Sequence, residues 1–197
     1  MKNWLAGVSL GVVAGFAMSA VADDDHGGHN NRVQRVFRAQ LVGINEVPAV
    51  STAARGQFYA VVSKDDTSFT YWLSFSGLGF DAAQSHIHFG QHHTNGGISV
   101  WLCQSTITPA PASVTSRVAT CPLRATTSPI TATITAADVV GPAGQGIAAT
   151  EFAELLAAIR AGAAYANVHS GVAGNPNATL PTTTVGFPGG EIRGQIN

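Results

Sequence analysis

Charge is scarce in this sequence. Only 11% of its 197 residues are charged, ten basic and eleven acidic, where soluble domains average about 25%. That excludes a nucleic-acid binder working through a basic face, which needs clustered Lys and Arg. With 45% hydrophobic residues, the chain is also not a charged disordered tail. Cysteine is nearly absent, with two in the whole chain and no Cys-x-x-Cys, which argues against a redox-active dithiol. Enzyme motifs are missing too. There is no Gly-x-Ser-x-Gly elbow, no phosphate-cradling loop and no His-Glu-x-x-His.

What is present begins with a leader. Lys2 supplies a positive start, Trp4 to Met18 is apolar without charge, and Ala20-Val21-Ala22 precedes Asp23-Asp24-Asp25. This order reads as a signal peptide over residues 1–22, cleaved after Ala22. Its apolar stretch of about 15 residues is short against the ~20 that a membrane span requires. No later segment is apolar enough to cross a bilayer, so a secreted or periplasmic protein without a membrane span is expected. In an oxidising compartment, Cys103 and Cys121 are expected to form a disulfide.

Residues 23–35 are polar and read as a flexible tail. From residue 36 the pattern changes. Phe58, Ala60 and Val62 alternate with Gln57, Tyr59 and Val61, and Phe69, Tyr71, Leu73 and Phe75 share one face of the next run. Period-two alternation between turn residues predicts antiparallel strands with one buried face. Further strands are expected over Val36–Gly43, Ala82–His88, Ile98–Leu102, Ile130–Thr135, Ala164–His169 and Glu191–Ile196. The expected fold is all-β, an antiparallel Greek-key β-sandwich or barrel of about eight strands spanning 36–197. One helix interrupts it. Phe152, Leu155, Leu156 and Ile159 follow helical spacing, with Thr150 as the expected N-cap and Gly162 closing the end. Asn177-Ala178-Thr179 fits a glycosylation sequon.

Against so little charge, the histidines stand out. His26 and His29 fall in the tail, His86, His88, His92 and His93 lie within eight residues, and His169 stands apart. On a strand, His86 and His88 point to the same face. Their imidazoles can converge on one ion, and imidazole ligands suit copper or zinc better than magnesium or calcium. His92 and His93 follow Gly90 on a loop and are placed to assist. His169 ends another strand and joins only if the two strands pair. The competing reading is a pair of core histidines holding loop carbonyls. Neutral imidazole is the ligand form, so affinity is expected to fall as pH drops through about 6–7. Glu191 and Arg193, two apart on one strand, are expected to form a structural ion pair. Asn45, Glu46 and Pro48 read as a polar turn.

Several segments resemble the CHRD domain, the module named after chordin. Phe37-Arg38-Ala39-Gln40-Leu41 and Gly43-Ile44-Asn45-Glu46-Val47-Pro48-Ala49-Val50 resemble its opening. The likeness continues through Tyr71-Trp72-Leu73-Ser74-Phe75-Ser76-Gly77-Leu78 and Ser85-His86-Ile87-His88-Phe89-Gly90. It ends with Ala161 to Ser170 and Gly189-Gly190-Glu191-Ile192-Arg193-Gly194-Gln195-Ile196. The resemblance implies an extracytoplasmic β-sandwich and names no activity. A looser resemblance runs to copper/zinc superoxide dismutase, where His86, His88, His169 and an anion-guiding Arg193 match in kind, while the loop lacks that family's further ligands. Three functions follow as expectations. The first is an exported CHRD-domain binding module holding one transition metal ion, copper favoured over zinc, through His86, His88 and His169 with His92 or His93. The second is a superoxide-dismutase-like copper enzyme. The third is a structural or adhesion module without metal.

Overall fold

The computed structural model of the protein describes residues 34–171 and 186–197. The expected signal peptide, most of the expected tail with His26 and His29, and the residues that fit a sequon lie outside the described residues.

Eight antiparallel strands form one sheet: β1 (Val36–Val42), β2 (Arg55–Val62), β3 (Ser68–Ser76), β4 (Ala82–Phe89), β5 (Gly97–Cys103), β6 (Ile130–Thr135), β7 (Ala164–Ser170) and β8 (Phe187–Gln195). Their order is β5-β4-β7-β8-β1-β2-β3-β6. The terminal strands β5 and β6 approach each other, so the sheet is nearly closed and barrel-like. The expected all-β class and strand positions therefore hold.

Alternation does the work in β1, β2 and β3. Phe37, Ala39 and Leu41, then Phe58, Ala60 and Val62, then Phe69, Tyr71, Leu73 and Phe75, all turn inward and are buried, while their chain neighbours face out. Registers such as Ala39↔Phe58↔Leu73 stack these residues across three strands. Stacking Phe58 on Tyr71, 6.1 Å between centroids, adds aromatic packing to the core.

The helix α1 (Phe152–Arg160) buries Phe152, Leu155, Leu156 and Ile159 in the same core, with Phe152 tilted against Phe69. Gly162, at φ +66°, turns the chain out of the helix as its position implied. The start of the helix differs from expectation. Glu151, not Thr150, is the N-cap, and its carboxylate accepts the Ala148 N–H at 2.7 Å; Thr150 itself sits at φ +71°.

Cys103 and Cys121 are disulfide-bonded, with their Cα atoms 5.0 Å apart. The excursion they close is organised by Gln104. Its amide nitrogen donates to the Thr115 and Val118 carbonyls, and its oxygen accepts from the Ala110 N–H and the Thr115 hydroxyl.

The second half of the sheet departs from the one-buried-face rule. Every residue of β7 is buried, as are the last six of β8 and six of the eight in β4. Inward go Ile87, Ala164, Ala166, Val168 and Ile192. The opposite face is roofed by loops: Gly96 and Gln91 from the β4–β5 loop, Pro188 at the start of β8, and Glu46 after β1 all contact it. Under that roof lies a polar layer instead of a second apolar core.

Candidate metal centre

The roofed face is built by strand pairing. In the antiparallel β4–β7 ladder His86 lies opposite Asn167, His88 opposite Tyr165, and Gln84 opposite His169. Residues opposite one another share a face. His86, His88, Tyr165, Asn167 and His169 are therefore side by side, and β8 extends the row with Arg193 opposite Asn167 and Gln195 opposite Tyr165. All seven are buried.

One nitrogen each of His86, His88 and His169 lies within 4.8 Å of the others. The tightest pair is His86 Nδ1 and His169 Nε2, 3.2 Å apart. Shared ligation at about 2 Å requires ring nitrogens roughly 3–4 Å apart. The His86–His169 edge already meets this.

The roof also fixes which nitrogens are available. His88 Nδ1 donates to the Gly96 carbonyl at 2.9 Å, and His169 Nδ1 donates to the Pro188 carbonyl at 2.8 Å. A carbonyl only accepts, so each ring carries its proton on Nδ1 and presents a bare Nε2 lone pair. This is the outer-shell arrangement that orients metal-ligating histidines. His86 Nδ1 then donates to His169 Nε2 in the ion-free protein. Buried His86 Nε2, His88 Nε2 and the Asn167 Oδ1 oxygen have no hydrogen-bond partner. Holding a loop carbonyl, the competing role for these histidines, thus coexists with a free ligand atom on the His88 ring.

The environment keeps the rings neutral. Burial lowers His88 and His169 to about 4, and His86 falls well below its ordinary value through burial and its two histidine neighbours. The expected protonation range near 6–7 is therefore corrected downward.

Around the triad, His88 stacks flat on Tyr165 at 4.7 Å between centroids, and the Arg193 guanidinium lies 3.4 Å over the Tyr165 ring. Arg193 donates to the Gln91 carbonyl at 2.9 Å, while its other terminal nitrogen, Nη1, is buried without a partner. Trp101 packs edge-on to His86 at 4.3 Å.

The expected Glu191–Arg193 ion pair does not form among the described residues. Glu191 instead accepts from the Thr52 hydroxyl at 2.7 Å, the Gly79 N–H at 2.9 Å and the Ser170 hydroxyl. The strand twist and the roof give the two side chains different partners. Glu46 replaces Glu191 as the acid acting on Arg193. Read from sequence as part of a polar turn, Glu46 is buried, and it occupies the space where a side chain on Gly190 would be. Burial pushes its carboxyl up to about 7, against the pull of Arg193.

His92 and His93 are exposed on the β4–β5 loop, their rings 5.9 Å from each other, and neither joins the triad. Sequence reasoning missed Glu46, Tyr165, Asn167 and Gln195. Their signal was position, since each lies in a segment that carried the family resemblance.

A family model for the CHRD domain matches residues 37–196. The chain belongs to the CHRD family. CHRD domains occur in extracellular proteins. No curated protein and no solved structure matches the chain. The looser likeness to copper/zinc superoxide dismutase gains no support from these comparisons. Among the described residues no helix of this CHRD protein is long and apolar enough to cross a membrane.

Proposed function

We propose that this CHRD domain is an exported binding module that holds one transition metal ion, copper before zinc, through His86, His88 and His169. One observation carries the reading: three buried, neutral imidazoles bring one nitrogen each within 4.8 Å of the others, and two of them have their Nδ1 protons committed to loop carbonyls, which leaves Nε2 as the ligand atom. Buried polar atoms without partners are uncommon in folded proteins and call for an explanation. An ion in this position supplies one for His88 Nε2. The leader over residues 1–22 supports delivery outside the cytoplasm.

Titration of the purified protein with Cu²⁺ and Zn²⁺ tests this reading, with bound metal counted per chain. One equivalent is expected. His86→Ala and His169→Ala should each bring it well below one equivalent, while a variant lacking only His92 and His93 keeps close to one. Trp101 offers a second readout, because Cu²⁺ at the triad lies close enough to quench its fluorescence. Occupancy at a hundred times the dissociation constant should add about 2.7 kcal/mol to stability. Metal well below one equivalent, or equal binding by the histidine variants, contradicts the proposal. Thermal stability that ignores both metal and chelator would favour the structural-module reading instead.

A further inference from the structure

We propose that the triad selects for low ionic charge and binds copper in its monovalent state in preference to divalent ions. This rests on the metal-binding reading above and adds the oxidation state.

Ligand type alone does not decide the matter, since imidazole suits Zn²⁺ and both states of copper, and among divalent ions copper leads the affinity order. Charge decides it. All three donors are neutral, and no carboxylate among the described residues belongs to the group. Glu191, on the neighbouring strand, accepts from Thr52, Gly79 and Ser170 and is not a ligand. His86, His88 and His169 are 0%, 8% and 6% exposed, so water is largely excluded. Moving a charge from water into such a medium costs free energy that rises with the square of the charge. A divalent ion therefore meets about four times the penalty of a monovalent one, with no anionic ligand to offset it.

A fixed cation adds to this. Arg193 is 2% exposed, and its guanidinium lies on Tyr165, whose ring stacks on His88. The guanidinium is thus a fixed positive charge one ring away from His88. It opposes a divalent ion twice as strongly as a monovalent one. Glu46 is the acid that acts on Arg193, and burial keeps it partly protonated near neutral pH, so it does not cancel that charge fully. Ligand number points the same way. Zinc on three histidines fills its fourth position with water, which this buried cluster largely excludes, whereas a monovalent copper ion is satisfied by three ligands.

The reduction potential of the copper-loaded protein measures the preference directly, because it compares both oxidation states on the same ligands. After metal analysis has established one copper per chain, the potential is expected to lie above that of copper–imidazole complexes in water. Arg193→Gln, which removes the cation and no ligand, should lower it by a shift equivalent to about tenfold in relative affinity, ~59 mV for a one-electron couple. Anaerobic competition with a chromophoric Cu⁺ chelator should show Cu⁺ resisting removal, while Zn²⁺ is lost to an ordinary divalent chelator. A potential at or below that of the aqueous complexes overturns the charge-selection proposal and leaves the metal centre standing. Failure of the protein to retain any of the three ions overturns the underlying reading instead. The wild-type potential is decisive even if Arg193→Gln does not fold.

Discussion

At the scale of single residues, burial sets the protonation chemistry. Two histidines lowered to about 4 make the folded state a weaker proton acceptor than the unfolded chain, whose histidines titrate near 6.5. Stability is then fully present above pH 6.5 and is lost as pH falls toward 4, by up to about 1.4 kcal/mol per pH unit for each such group. Glu46 works in the opposite sense. Its carboxyl is raised from 4.5 to about 7, so its contribution is present below pH 4.5 and lost as pH rises through 7. Denaturant unfolding of the ion-free protein across pH 4–8 should show net loss toward acid, and Glu46→Gln should steepen that loss by removing the opposing group. A flat profile between pH 6.5 and 4, unchanged in the variant, would contradict the assignment. Metal affinity should likewise persist through pH 6 and fail only toward pH 4.

At the scale of elements, the strands and the helix follow from patterns that are local in sequence. Phe69, Tyr71, Leu73 and Phe75 mark β3 because one face of that strand meets the core and the other meets water. The same logic misreads β7 and β8, where Tyr165, Asn167, Arg193 and Gln195 look like outward polar residues. They are outward, but loops from three parts of the chain cover them. Nothing local in sequence announces that Gly96, Gln91, Pro188 and Glu46 will converge above one face. The helix cap shows the same limit, since Glu151 gains its place by accepting the Ala148 N–H, a contact that depends on the preceding turn. Two element-scale outcomes are expected. Leu155→Ala, at a fully buried position of α1, should cost about 2–5 kcal/mol in denaturant unfolding. Replacing Cys103 and Cys121 by Ser should cost roughly 3 kcal/mol by releasing the closed excursion. It should leave metal binding unchanged, because no ligand lies between the two cysteines in sequence. Loss of metal in that variant would mean that the excursion supports the roof.

At the scale of the whole molecule, a nearly closed antiparallel sheet carries two interiors. One is the apolar core beneath all eight strands. The other is a polar layer on β4, β7 and β8, kept from water by loops and supplied with three neutral imidazoles. His86 and His88 were legible in the sequence as a same-face pair, because strand periodicity is local. His169 was legible as a candidate, and only the pairing of β7 with β4 makes it a partner. Arg193 was visible as a residue but not in its role, because stacking on Tyr165 depends on the register of β8 against β7. The low overall charge of the chain suits this design: the buried layer gathers polar groups while offering few formal charges. The central claim is that one ion sits among His86, His88 and His169. X-ray absorption at the copper edge of the stoichiometrically loaded protein tests it most directly. Three imidazole nitrogens at about 2.0 Å are expected. Coordination dominated by oxygen, or an imidazole signal that survives intact in the combined His86→Ala and His169→Ala variant, would contradict it.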